Sequence, residues 1–133
     1  MQMENRIVPV TGDMAGSQAM KAIGDYIREA GKTITTFYVS NVEYYLFRSR
    51  TFRGYLDNVR SLPITPETLF IRSYFNYSTP HPEEMPGYFV TSCLQRIGDL
   101  LQAVDQGKIH DYWDISTTAY IPLVEPVQAA PQP

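Results

Sequence analysis

Hydrophobic and polar positions fall in blocks along this chain, and the blocks change period from one to the next. Arg6 to Val10 (RIVPV) is a short apolar run closed by Thr11-Gly12-Asp13, which predicts a buried strand feeding a turn. Pro9 counts against it, since proline donates no ladder hydrogen bond. From Gly16 to Gly31 the period becomes helical: Ala19, Met20, Ile23, Ile27 and Ala30 recur at three- and four-residue steps as one apolar stripe. Ser17 or Asp13 suits its start, and Gly31 its stop. Thr33 to Ser40 (TITTFYVS) is β-branched and aromatic and predicts a strand. A short helix follows with Asn41 at its N-cap. A second spans roughly Thr51 to Ser61, with Phe52, Tyr55, Leu56 and Val59 on one side, and LPITPE breaks it.

Thr68 to Phe75 predicts a third strand, and Asn76 to Gly87 (NYSTPHPEEMPG) a proline-rich loop. Phe89 to Gly107 carries the strongest helical pattern of the chain, through Leu94, Ile97, Leu100, Leu101 and Val104. Lys108 to Ser116 adds a short helical turn. Strands alternating with helices predict an α/β fold, a parallel sheet with flanking helices. The expected domain is 1–119, followed by a proline-rich, flexible tail over 120–133.

Composition narrows the function classes. The net charge of -3, with no basic block, argues against a nucleic-acid footprint. Ten tyrosines supply flat apolar area with polar tips, suited to half-buried packing and to pocket walls. A lone cysteine, Cys93, makes no internal disulfide. No apolar run reaches the ~18 residues of a membrane span, and the first residues do not read as a signal peptide. The expected location is cytoplasmic, with no membrane partner.

In open parallel sheets, ligands bind beyond the carboxyl ends of the strands. The turn after RIVPV holds Gly12 and Asp13: either a helix-capping turn, or a close backbone approach and an acceptor for a ligand. After the second predicted strand, Ser40, Asn41 and Glu43 form a polar cluster with Tyr38, Tyr44 and Tyr45 near by. Either Asn41 merely caps a helix, or Tyr38, Ser40, Asn41 and Glu43 wall a substrate pocket, with Glu43 the candidate general base. Arg72, inside a strand pattern, needs a carboxylate partner, whether Glu43, Glu67 or a ligand. His81 and His110 lack metal-type spacing, so no metal site is expected. Cys93 reads as an inert core thiol. The Asn76–Gly87 loop is a solvated connection or a lid.

The stretch IVPVTGDMAGSQAMKAIGDYIREAGKTITTFYVSNVEYYLF, with NVRSLP (Asn58 to Pro63) and FIRS (Phe70 to Ser73), resembles the second half of a group of longer, uncharacterised bacterial proteins. Those in turn resemble class I S-adenosylmethionine-dependent methyltransferases. The resemblance implies a partial Rossmann-like sheet. It also implies that Gly12 and Asp13 stand where the cofactor's adenine is contacted, and that Ser40, Asn41 and Glu43 stand where methyl group and substrate meet. The glycine-rich cofactor loop of that fold is missing from this sequence. S-adenosylmethionine is therefore expected to need a complete domain rather than this chain alone, with a missing N-terminal half or a partner chain completing the sheet. The alternative is a non-enzymatic binding or interaction module on the same scaffold.

Overall fold

A computed structural model describes residue 4 and residues 6–123. Helix α1 (Ala19–Glu29) leads into strand β1 (Ile34–Ser40), then α2 (Val42–Arg48), α3 (Phe52–Arg60) and the long strand β2 (Ile64–Phe75). A loop returns to β3 (Val90–Arg96), followed by α4 (Ile97–Asp105), α5 (Tyr112–Thr117) and the short β4 (Tyr120–Ile121). The fold is α/β: a four-stranded sheet in the order β1-β2-β3-β4, flanked by helices.

The expected all-parallel sheet is corrected. β1 and β2 run parallel, but β3 is antiparallel to β2 and β4 to β3. The cause lies in the connections. Two helices carry the chain back from β1, so β2 restarts at the same end. The Asn76–Gly87 segment has no helix, so the chain turns over and β3 returns antiparallel.

RIVPV is not a strand. Ile7, Val8 and Val10 are about half exposed and pair with no strand among the described residues; the run is short and Pro9 removes a ladder donor. The long helix expected over Phe89 to Gly107 is also split. Its first part is β3, where Thr91, Cys93 and Gln95 are buried and their neighbours are not, a period of two. The helix begins only at Ile97. The tail boundary moves as well, since Tyr120 and Ile121 pair with Gln95 and Leu94; the rest of the expected tail, 124–133, lies outside the described residues. Pro66 sits inside β2, where the register jumps from Ile34↔Ile64 to Thr36↔Leu69. The Thr68 hydroxyl donates to Ile34 O (2.6 Å) and accepts from Thr65 N (2.8 Å), filling the bonds this bulge leaves open.

One core gathers all five helices. Met20 of α1, Leu46 of α2, Tyr55, Leu56 and Val59 of α3, Ile97 and Leu100 of α4 and Ile115 of α5 close on Val39 and Phe70 of the sheet. The alternation in β2 buries Thr68, Phe70, Arg72 and Tyr74 on this side. On the other side lie Leu69, Ile71, Ser73 and Phe75, each only half-buried. By register, Tyr38, Ile71, Leu94 and Ile121 line up across all four strands on that second face. Among the described residues no helix covers it: none of those side chains belongs to the core cluster or packs against it.

Candidate functional site

The expected polar cluster at the end of β1 divides into three environments. Ser40 adopts a left-handed conformation (φ 50°), which is uncommon for a residue with a side chain and turns the chain out of the sheet into α2. Tyr38 is 64% exposed on the uncovered face, and the hydroxyls of Ser40 and Ser73 lower its pKa. Asn41 occupies the N-cap position of α2 but makes no side-chain cap bond; it lines a cavity instead.

Glu43 points the other way, into the core. It and Arg72 are fully buried. Arg72 Nε donates to Glu43 Oε2, Nη2 to Glu43 Oε1 (3.2 Å) and Nη1 to Gln95 Oε1 (2.6 Å). The Tyr55 hydroxyl donates to Glu43 Oε1 (3.2 Å), and Gln95 Nε2 donates to Thr118 O (2.5 Å). The guanidinium also stacks 4.6 Å from the Phe70 ring centroid. Burial pushes the Tyr55 phenol well above its usual range, and the Glu43 charge adds to this. Both carboxylate oxygens of Glu43 are therefore occupied and dry. The pairing of Arg72 with Glu43, one of the alternatives open from sequence, is the one formed, and it holds α2 to the sheet.

Gly12 and Asp13 form a self-closed turn. Asp13 Oδ1 accepts from Ala15 N (2.9 Å) and Asp13 O from Gly16 N (3.1 Å). A Cβ on Gly12 would overlap Ala19 Cβ, so close packing explains that glycine. The turn docks on α3: Asn58 Nδ2 donates to Met14 O and Gly16 O at 2.8 Å each. Neither Gly12 nor Asp13 lines the cavity.

The cavity itself holds about 790 Å³ and lies between α2, the start of α5 and the carboxyl end of β2, where it also reaches Phe75 of the sheet's other face. Helix α2 forms one wall with Asn41, Tyr44, Tyr45 and Arg48, spaced to share a helix face. The end of β2 contributes Tyr74, Phe75, Tyr77 and Ser78. The start of α5 contributes His110, Asp111, Tyr112 and Trp113. Eight of the lining residues are aromatic. Tyr74 stacks on Tyr112 (5.8 Å, 19°) and meets Trp113 edge-on (5.5 Å, 65°), while Tyr44 meets Tyr112 edge-on (5.8 Å, 73°). The floor phenols are neutral and committed. Burial raises Tyr112, whose hydroxyl donates to Ser73 O (2.6 Å), and Tyr74 donates to Thr79 O (2.9 Å).

Ionisable groups ring this aromatic floor. Arg48 lies 5.6 Å from the Tyr44 ring centroid and meets no carboxylate among the described residues. Asp111 caps α5 by accepting from Asp114 N (2.9 Å). His110 Nδ1 lies 3.0 Å from Asp114 Oδ2, an arrangement that fixes the imidazole tautomer and leaves Nε2 as the free ring nitrogen. Sequence reasoning set His110 aside because it looked for metal spacing. The usable signal was HDYWD, an imidazole and two carboxylates interleaved with aromatics.

A second imidazole makes a different arrangement. His81 Nδ1 accepts from Glu83 N (3.0 Å), so Nε2 carries the proton and donates to Ser116 O (3.0 Å), with Cys93 Sγ 3.4 Å away. This is not an activated thiol pair. Burial pushes the Cys93 thiol up to about 11, and both side chains are buried. His81 instead pins the β2–β3 loop to α5. Among the described residues no group of three or more His, Cys, Asp or Glu is placed to hold a metal ion, and no helix is long and apolar enough to cross a membrane.

No curated protein sequence matches the chain. The profile of the family described as "Domain of unknown function (DUF7790)" matches residues 1–122, nearly the whole sequence, and the chain belongs to that family.

Proposed function

We propose that this chain is a small-molecule-binding domain whose ligand sits in the aromatic cavity between α2, α5 and the end of β2. The observation that carries the reading is the cavity's make-up: eight aromatic side chains in about 790 Å³ at the carboxyl end of β2. Such a volume suits one small ligand, and few polar groups among many apolar ones is the usual composition of such sites. The aromatic faces favour a flat or cationic group. Asn41, Arg48, His110 and Asp111 at the rim supply orientation. Trp113 is the sole tryptophan and lines the cavity, so its fluorescence reports occupancy. A panel of flat aromatic and quaternary-ammonium compounds is expected to contain members that quench or shift it saturably, with the response weakened by Tyr45→Ala. A panel without any saturable response would refute the reading.

A second reading follows from one further observation, the edge of β1, which among the described residues pairs with β2 on one side only. In this reading the chain is the methyltransferase-like, Rossmann-like half of a longer or two-chain protein. The aromatic cavity then takes the methyl acceptor, and S-adenosylmethionine is bound only when the missing half is added at that edge. Calorimetric titration of this chain with S-adenosylmethionine is expected to give no binding heat. In a protein that carries the missing half, Asp13→Ala is expected to weaken cofactor binding; unchanged affinity would remove Asp13 from the adenine site.

A further inference from the structure

Given the small-molecule cavity proposed above, we propose that its ligand is a flat aromatic acid with a single negative charge, whose carboxylate is taken by Arg48.

The charges at the rim are not equally committed. Among the lining residues Arg48 is the one arginine or lysine and Asp111 the one carboxylate. They make no ion pair with each other. Asp111 is engaged: its Oδ1 accepts from Asp114 N (2.9 Å) and caps α5. Asp114 is engaged too, since its Oδ2 accepts from His110 N (2.8 Å) and lies 3.0 Å from His110 Nδ1. Arg48 is not. It lies in the last turn of α2, where a cation can serve the end carbonyls of a helix, yet among the described residues it donates to none of them. Its one bond there is a long one, from Nη1 to the Tyr44 hydroxyl (3.4 Å). A guanidinium carries five N–H donors in a planar fork, so most of this fork is open to a ligand.

The same residue decides between a flat anion and a cation. Its Cζ lies 5.6 Å from the Tyr44 ring centroid, so the protein's own cation holds that cation–π position. A ligand ammonium there meets like charge, and a carboxylate meets opposite charge beside an aromatic wall. The guanidinium is also close to the aromatic floor, because Tyr44 in turn meets Tyr112 at 5.8 Å. A carboxylate matches the fork with two parallel hydrogen bonds. A doubly charged phosphate matches less well, because one arginine neutralises one charge and Asp111 stands on the α5 side of the same cavity.

The test is isothermal titration calorimetry of the full chain with naphthoate, naphthamide, naphthylmethylamine and naphthyl phosphate, which share one flat body and differ in charge. Naphthoate is expected to bind most tightly, about five- to tenfold more tightly than naphthamide, the size of a charge-assisted pair discounted for an exposed rim. Arg48→Gln is expected to abolish that preference. Arg53→Gln, which removes an exposed arginine that does not line the cavity, is expected to leave it unchanged. Arg48 is itself exposed, so the circular dichroism of its variant should match wild type. Naphthoate bound no more tightly than any of the other three would overturn the proposal and leave the aromatic-cavity reading standing. A preference that survives Arg48→Gln, or that Arg53→Gln removes, would overturn it too, since the acid would then be held elsewhere or by the general field. If none of the four binds, the proposal falls; the aromatic-cavity reading falls with it only if the wider panel is silent as well.

Discussion

Replacing Glu43 by glutamine tests the account of the core most directly. In the wild type, Arg72 is fully buried and, among the described residues, its charge is met by Glu43 alone; Gln95 and the Phe70 ring contribute only neutral partners. The introduced amide keeps the shape and one acceptor but removes the charge. Breaking a buried pair from one side costs about 3–5 kcal/mol, because the remaining ion stays desolvated and uncompensated. Domains of this size are stable by about 5–15 kcal/mol in all, so the loss is a large fraction of the total. With a urea m-value of ~2 kcal/mol/M, the unfolding midpoint falls by roughly 2 M. Urea unfolding followed by circular dichroism measures this. Removing both ions gives the sharper comparison. Glu43→Leu with Arg72→Met leaves the Tyr55 hydroxyl and Gln95 Oε1 without their partners, while Gln95 Nε2 keeps Thr118 O, so it belongs in a Tyr55→Phe background. There the pair of substitutions is expected to cost less than the sum of the two single ones by about 2 kcal/mol or more. A Glu43→Gln variant within about 1 kcal/mol of wild type would show that Arg72 reaches water or another anion, and the description of this network would fall.

Other expectations follow from single contacts. Cys93 is expected to react slowly with a thiol reagent in the native state and fast in urea. Because burial raises its pKa from 9.0 to about 11, its contribution to stability is full below pH 9 and is lost as pH rises through about 11; Cys93→Ala should flatten that alkaline limb of the unfolding curve. Asn58→Ala removes two 2.8 Å bonds to the Met14–Gly16 turn and should cost about 1–3 kcal/mol by chemical denaturation. Gly54→Ala brings a Cβ to 2.9 Å from Ala15 O, so it should lower the melting temperature by displacing the same turn. Asp114, lowered chiefly by the backbone N–H of His110, adds stability above the ordinary carboxylate range that is lost as pH falls through its lowered value. Asp114→Asn should remove that acid dependence in a pH series of thermal melts.

What the sequence shows and what it hides follow from the range of the forces involved. Helices α1 and α3 are legible because an apolar stripe at helical spacing is a local signal, and Gly31 at φ 65° ends α1 as its type suggests. β1 is legible from its β-branched run. β3 is not, because Leu94 falls by chance on the helical stripe of Ile97, Leu100 and Val104, and its pairing with Ile71 is long-range. The direction of β3 is set by a loop that lacks a helix, and the edge position of β1 by which strands find partners across the whole sheet. Neither is written in a local pattern. The buried Arg72–Glu43 pair was legible as one of several alternatives, since a charge in a strand pattern demands a partner. The cavity was not. Tyr44, Tyr45, Tyr74, Tyr77, Tyr112 and Trp113 come from three separate segments, and their convergence depends on how α2 and α5 sit over the end of β2.

The polar and aromatic residues around the end of β1 therefore part company. Glu43, the most chemical-looking residue of the stretch, is buried in an ion pair, and Tyr38 lies on the other face, while Asn41, Tyr44 and Tyr45 line the cavity. The ion pair and the cavity are mechanically connected. Glu43 and Leu46 are the buried residues of α2, while Asn41, Tyr44, Tyr45 and Arg48 on its other side face the cavity. In this helix of seven residues Leu46 is the buried apolar anchor, with Val42 and Phe47 half-buried against the core and Phe47 stacked on Phe52, and its rotation about its own axis needs a constraint sharper than apolar contact. The directional bonds from Arg72 to both oxygens of Glu43 supply that constraint, since apolar contact tolerates rotation and a two-pronged guanidinium–carboxylate pair does not. The buried pair thus sets which α2 side chains reach the cavity. An apolar replacement of Glu43 and Arg72 that restores stability should still weaken ligand-induced changes in Trp113 fluorescence. If binding survives such a replacement unchanged, α2 is held by its packing and by Tyr55, and the ion pair contributes stability alone.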